Sequence, residues 1–356
     1  MAENKADRAA GVVLGVLIGD ALGMGSHWIY DADEFKKLYG WQTDYVEPTE
    51  GRYHHGALRA GQLTQSGELS ARFAATLAEC DGYDRDHFTG QWDEMLAEMD
   101  GTRTGGRHGW TNKDMCDLYK RRVVQKKEWG RDTASPTTDT TDSIVRAALA
   151  AARYYHDLPK MIDIIREQAE LQYKDVGVIT QSICFGCVVA AIINGDPIDE
   201  HLSDKLYKAA QDGKLPFTFL SGERDDEENL AEPDGLLLIS MIVRAAKDAE
   251  VGGQIDSHLG PRLYGLACAW FMSLPSSYWC AAKHPESFED AMLAAINAGG
   301  QNVARGSFVG AMLGARVGLA GIPDRFVSGL HDSENIVAQA RKIAADAQAE
   351  EDMASK

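Results

Sequence analysis

Four polar runs hold the residue types that do chemistry. The first, Gly19-Asp20-Ala21-Leu22-Gly23-Met24-Gly25-Ser26-His27-Trp28-Ile29-Tyr30-Asp31, sets a carboxyl and an imidazole at the end of an apolar stretch. The second is Gly61-Gln62-Leu63-Thr64-Gln65-Ser66-Gly67-Glu68, directly ahead of an apolar helical pattern. The third is Thr138-Asp139-Thr140-Thr141-Asp142, and the fourth is Asn297-Ala298-Gly299-Gly300-Gln301-Asn302-Val303-Ala304-Arg305-Gly306. Three of these runs lie at expected helix starts, where unpaired backbone N–H groups and the helix dipole favour an anion or a polar ligand. The carboxyls suit general acid–base work. A carboxylate at a helix N-terminus keeps a low pKa and is a weak base, whereas burial raises that pKa.

Each residue also has a structural role open to it. Asp20 either meets a ligand or bonds neighbouring backbone and fixes a helix end. His27, between Gly-rich chain and Trp28, is either a packed, hydrogen-bonded ring or a catalytic one. Asp139 is a candidate N-cap for a helix over Thr140–Tyr155, a position where Asp accepts from free N–H groups. Arg305 binds a phosphate or pairs with a surface acid. Cys184 and Cys187 fall inside an apolar helical run and read as buried thiols. His54 and His55 lie in a Gly-rich loop over the expected cleft.

Helices must position these runs. Ile144, Val145, Ala148, Ala151, Ala152 and Tyr155 follow helical spacing, and Leu158–Tyr173 repeats it. Thr180–Asn194 reads as an apolar helix stopped by Asn194–Gly195. Further helical windows are Leu236–Ala249, Arg262–Leu274, Ser287–Ala298, Gly306–Leu319 and Ser333–Ala349. Strand alternation is almost absent, so the fold class is all-α. Loops are expected at Tyr39–Arg59, Gly101–Trp110, Lys127–Thr141 and the acidic Ser221–Glu232. Gly11, Gly15, Gly19 and Gly23 form one four-residue ladder, and Gly306, Gly310, Gly314 and Gly318 form another. Each such glycine costs a helix up to ~1 kcal/mol against alanine. Two matching ladders therefore predict backbones packed close together.

The chain has 356 residues, 36 Lys and Arg against 54 Asp and Glu, and a net charge of −18. Hydrophobic content of 44% and charged content of 25% fit a globular chain and exclude disordered or collagen-like classes. The acidic balance argues against nucleic-acid and anionic-lipid partners. Six scattered Cys form no disulfide framework, and no segment is read as the ~20 apolar residues of a membrane span. The expected location is the cytoplasm. One compact domain, residues 1–356 with a core over about 8–345, is expected. P-loop, Gly-x-Ser-x-Gly and His-Glu-x-x-His motifs are absent, and Gly105–Gly109 is only a weak phosphate-loop signal.

The Gly15–Gly23 opening, Gly299–Gly300, Gly310–Gly318 and Ile322–Pro323 together resemble the ADP-ribosylglycohydrolase family in order and spacing. The resemblance covers almost the whole chain. The His27–Asp31 run is more similar to the branch of jellyfish J-type lens crystallins and fish selenoprotein J. What the resemblance implies is a compact all-α fold with a central cleft. In active relatives two Mg²⁺ ions are held by a Thr-Asp-Asp run and an Asp-x-Asp-Thr run. Those align here with Thr64, Gln65 and Ser66, and with Gln301, Asn302, Val303 and Ala304. No carboxylate stands at any of these positions, and Mg²⁺ requires hard, preferably charged oxygen ligands. The expectation is a protein without that dinuclear site and with no cofactor, a single residual metal held by Asp139 and Asp142 being a weaker alternative. The protein binds, and in an altered way hydrolyses, ADP-ribose or a related nucleotide or sugar ligand. Asp20, Asp139, Asp142 and Glu68 are then candidate catalytic acids. His27, Thr64, Gln65, Ser66, Gly299, Gly300, Gln301, Asn302 and Arg305 are candidate ligand contacts. The alternative is an inactive pseudoenzyme or a crystallin-like structural protein. The first reading expects the four acids to line one pocket; the second expects them dispersed as caps and surface pairs, with the pocket filled.

Overall fold

The computed structural model describes residues 5–107, 109–216 and 234–355. The acidic Ser221–Glu232 run lies outside them. Helices α1 to α5 span Lys5–Met24, Ala32–Tyr39, Gln65–Glu79, Arg85–Ala97 and Lys113–Tyr119. Helices α6 to α10 span Asp142–Tyr154, Leu158–Glu170, Val176–Ile193, Leu202–Gln211 and Asp234–Lys247. Helices α11 to α16 span Pro261–Tyr264, Trp270–Lys283, Phe288–Asn297, Asn302–Val317, Asp324–Gly329 and Ser333–Ala354. No strand occurs among the described residues, and the class is all-α as the periodicity predicts.

Helices α1 and α14 form the axis of the core. They run antiparallel, and the two glycine ladders interlock: Gly11 meets Gly314, Gly15 meets Gly310 and Gly19 meets Gly306. A Cβ at Gly15 would stand 2.0 Å from the Gly310 carbonyl oxygen, and one at Gly310 would stand 1.9 Å from that of Gly15. Backbone rests on backbone, so the apolar faces of α3, α6, α13 and α16 close around a narrow pair. Every residue of α1 from Ala9 to Met24 is buried. Such a helix reads apolar on all sides because it has neighbours on all sides.

A second layer, α6 with α7 and α8, packs on this axis. Helix α8 is 18 residues long and apolar enough by composition to cross a membrane, which amends the expectation that no segment approaches a span; 83% of it is buried inside the fold. It begins at Val176, four residues ahead of the expected Thr180, because Asp175 accepts from the Val178 N–H at 2.9 Å and caps it.

Two boundaries differ from the sequence reading in ways that shape the site. The expected helix Arg262–Leu274 is broken: α11 stops at Gly265, whose φ is +102°, and α12 starts at Trp270. The intervening chain crosses the Gly299–Gly300 turn, where Leu266 O accepts from Gln301 N at 2.8 Å. Asp139 does not cap α6. That helix starts at Asp142 after Thr141, with no side-chain cap, and Asp139 is left exposed.

Candidate active site

A cleft of about 380 Å³ opens between the starts of α3, α5 and α6 and the place where α1 meets α14. Its floor is Asp142, the first residue of α6 and 8% exposed. Ser66 Oγ donates to Asp142 Oδ1 at 3.0 Å, and Asn112 Nδ2 donates to Oδ2 at 2.8 Å. Asn112 is itself fixed, because its Oδ1 accepts from Met115 N at 2.8 Å and caps α5. Asp114 lines the same cleft and accepts from Ser135 Oγ at 3.1 Å and from Thr137 Oγ1. Burial pushes the Asp114 carboxyl above its usual range, the two hydroxyls oppose this, and the Asp142 charge adds to the rise. Asp139 lines the rim. The cleft thus holds one carboxyl with a raised pKa beside a second that is gripped by two donors.

Two histidines face each other across the cleft wall with ring centroids 5.7 Å apart. His27 is buried and shares a 3.1 Å hydrogen bond between its Nδ1 and Asn302 Oδ1. Asn302 Nδ2 donates to Ser26 Oγ at 2.9 Å, so its Oδ1 is the acceptor and His27 carries its proton on Nδ1. Burial drives the His27 pKa well below its ordinary value, with His54 and Arg305 adding to the effect. Burial likewise lowers His54 to about 4. Both rings are neutral at pH 7. Beside them Trp28, Tyr53 and Trp110 meet edge to face, and the Arg103 guanidinium lies 4.6 Å over the Trp110 ring.

Several residues expected to line the site hold the scaffold instead. Asp20 is 2% exposed; its Oδ1 accepts from Thr64 N and its Oδ2 from Thr64 Oγ1, both at 2.7 Å. It ties α1 to the start of α3, behind the cleft surface. Glu68 faces away, paired with Arg72 at 3.2 Å and Arg107 at 3.1 Å. Arg305 does not line the cleft: it is 1% exposed, and its guanidinium donates to Ala295 O at 2.9 Å and to Gly299 O. Gly299 and Gly300, at φ +76° and +64°, form a turn that exchanges backbone hydrogen bonds with Trp28 and Ile29. A side chain at Gly299 would strike the Ile29 carbonyl at 2.5 Å. Of the four expected acids, Asp139 and Asp142 reach the cleft. Thr64, Gln65, Ser66, His27 and Gln301 also line it.

Sequence reasoning missed Asp114, Asn112, Trp110, Arg103 and Cys268, which the tertiary fold brings to the same cleft. Arg103 and Trp110 flank the Gly105–Gly109 run, so that run was the available signal. Asp114 had none, because only the return of the Ser135–Thr137 segment marks it as part of a site.

The sequence pattern of the ADP-ribosylglycohydrolase family matches residues 1–352. The chain belongs to the ADP-ribosylglycohydrolase family. An uncharacterized protein from Archaeoglobus fulgidus is 24% identical over 331 residues, spanning 93% of this chain and 94% of its own. A solved structure described as an ADP-ribosylglycohydrolase-related protein complex superposes with a TM-score of 0.66 at 17% identity, covering 97% of this chain and 99% of that one. At that identity the likeness is one of fold, and the all-α ADP-ribosylglycohydrolase fold is the one described above.

The family resemblance points to magnesium, so the donor atoms at the corresponding positions matter. Thr64 Oγ1 donates to Asp20, and Ser66 Oγ donates to Asp142. Both ends of the Asn302 amide are bonded, to His27 and to Ser26. Val303 and Ala304 offer no side-chain oxygen. Amides and committed hydroxyls at these positions do not match the charged oxygen ligands that the resemblance gives for a pair of Mg²⁺ ions; the carboxyls of the cleft, Asp114, Asp139 and Asp142, stand at other positions. Among the described residues, no three His, Cys, Asp or Glu side chains converge in a way that would hold a metal.

Proposed function

We propose that this ADP-ribosylglycohydrolase-like protein binds ADP-ribose or a related glycosyl ligand in the cleft and cleaves its glycosidic bond with carboxyl groups alone. The observation that carries this reading is that Asp114, Asp139 and Asp142 face one open cleft. A volume of about 380 Å³ falls in the ordinary range of ligand sites, and three aromatic rings with Arg103 form an apolar, cation-capped edge beside it.

Two carboxyls with different surroundings suit a hydrolytic pair. Asp142, oriented by Ser66 and Asn112, takes a proton from a water as that water attacks the anomeric carbon. Asp114, whose hold on a proton burial strengthens, gives one to the departing group as the glycosidic bond breaks. The neutral histidines add no charge to oppose the cationic character that develops on the sugar.

Release of free ADP-ribose from ADP-ribosylated protein, followed by chromatography in EDTA, tests this. Turnover should fall about a hundredfold or more in Asp142→Asn. Native protein and Asp142→Asn giving equal rates, or none, would remove the hydrolytic part of the reading.

A second reading has its own support. Asp20 is spent on internal bonds and Glu68 on pairs with Arg72 and Arg107, which supports the dispersal of acids that the pseudoenzyme alternative expects. The His27–Asp31 run supports placing the chain near the crystallin branch. On that reading the cleft binds without turnover, and the same assay separates the two.

A further inference from the structure

Among the described residues three arginines are fully buried, and two of them are accounted for. Arg153 pairs with Glu350, and Arg305 spends its guanidinium on the carbonyls of Ala295 and Gly299. Arg146, in the second turn of α6, is 0% exposed and lies 5.3 Å from the centre of the Trp92 ring. Its Nε donates to Gln168 Oε1 at 2.9 Å and its Nη2 to Gln172 Oε1 at 2.6 Å, while Nη1 has no partner. Both partners are neutral amides, and among the described residues no carboxylate forms an ion pair with it. A guanidinium keeps its proton inside a protein, and a buried charge without a counter-charge is costly.

The missing counter-charge stands one helical turn away. Asp142 and Arg146 are at i and i+4 of α6, so they share one face, and the side chain of Arg146 leans toward the N-terminus, where Asp142 sits. Burial works against the charge of Arg146, and Asp142 leads the groups that favour it, ahead of Tyr173 and Tyr83. Hydrogen bonds join the same guanidinium to the other cleft acid. Gln172, held by Nη2, accepts at its main-chain oxygen from Ser135 N at 2.6 Å, and Ser135 Oγ donates to Asp114. Gln168, held by Nε, donates to the carbonyls of Ser143 and Ile165 at 3.0 and 3.1 Å and so ties α6 to α7.

The other groups that face Asp142 offer it no buried positive charge. Asp20 from α1, Asp114 from α5, Tyr173 and Cys268 all feel its negative charge, and Asp139 adds another carboxyl at the rim. Helix α3 contributes the neutral side chains of Gln65 and Ser66, capped by Thr64, and His27 and His54 are neutral. Arg103 and Lys113 line the cleft, but both are exposed and screened by water. We infer that Arg146 is a positioning residue of the cleft: held behind it by Gln168 and Gln172, it stabilises the Asp142 carboxylate from inside the fold. The inference deepens the hydrolytic reading above and takes from it the role of Asp142 as base.

The pH titration of the Asp142 carboxyl tests this without requiring turnover. It is followed by ¹³C NMR of protein labelled at aspartate Cγ, with the Asp142 signal assigned by its loss in Asp142→Asn. Arg146→Gln removes the cation. Gln172→Glu keeps the shape and the hydrogen bond from Arg146 but supplies a competing negative charge. In both variants the midpoint of the Asp142 signal should rise by about half a pH unit or more, since either change disfavours the carboxylate. If Arg146→Gln does not fold, Gln172→Glu decides alone. An arginine that serves only packing would lower the melting temperature of Arg146→Gln and leave the midpoint where it is in native protein. That result, or a midpoint unmoved in Gln172→Glu, would overturn the inference. Release of ADP-ribose from ADP-ribosylated protein is measured alongside, and the acid limb of its pH profile should move upward with the midpoint. A displaced midpoint in a protein without turnover would uphold Arg146 as the counter-charge and remove the hydrolytic reading alone.

Discussion

At the residue scale, the same carboxyl chemistry comes out differently at Asp20 and Asp142. The N–H and hydroxyl of Thr64 favour the Asp20 carboxylate, but complete burial outweighs them and raises its pKa to about 7. An unfolded chain ionises Asp20 near 3.8, while the native chain holds the proton until about pH 7. Between those values the unfolded state binds fewer protons, so native stability from this group falls as pH rises from about 4 to 7 and then levels off. Asp20→Asn should flatten that part of the profile: its melting temperature should drop less than the native one between pH 5 and pH 8. An unchanged slope would mean that the proton sits elsewhere. Arg305 gives a second residue-level prediction. A lysine cannot span the carbonyls of Ala295 and Gly299, so Arg305→Lys should cost about 2 kcal/mol in urea unfolding. Its effect on ligand affinity should be small, because the guanidinium lies outside the cleft.

At the element scale, spacing made the glycine ladders legible before any coordinates. Propensity alone says that Gly→Ala in a helix stabilises by up to ~1 kcal/mol. Packing reverses the sign where the Cβ has nowhere to go. Gly15→Ala should therefore destabilise by about 2–3 kcal/mol, as expected for forced overpacking against the Gly310 backbone. Gly90, on the exposed side of α4 with open space around it, is the control, and Gly90→Ala should stabilise. Chemical unfolding of the two variants decides the matter; two shifts of the same sign would contradict the interlocked axis. Other boundaries were less legible. Nothing local in Arg262–Leu274 announces the break at Gly265, because the break serves a distant partner, the Gly299–Gly300 turn. Asp139 looked like a cap from its place before a helical run, yet α6 starts later, at Asp142, which faces the cleft.

At the scale of the whole molecule, the fold follows from apolar periodicity and the ladders, whereas the site does so only in part. Asp139, Asp142, Thr64, Gln65, Ser66, His27 and Gln301 sit in runs whose polar character inside an apolar chain marked them, and all reach the cleft. Asp20, Glu68 and Arg305 stood in the same runs. What separated them was which way each helix turned its face, and that depends on partners far away in sequence. Asp114 is visible only in the fold, where separate loops close over the α3 and α6 starts. The resulting cleft combines carboxyls, neutral histidines and amides.

That account is tested most directly by titrating the native protein with ADP-ribose in a thermal-shift measurement, once in EDTA and once in excess Mg²⁺, with Asp142→Asn alongside. A ligand bound only by the native state adds ~2.7 kcal/mol at a hundredfold excess over its dissociation constant. We expect equal upward shifts in EDTA and in Mg²⁺, reduced in Asp142→Asn. A shift that needs Mg²⁺ would contradict the metal-free cleft, and no shift in either condition would contradict ADP-ribose binding itself.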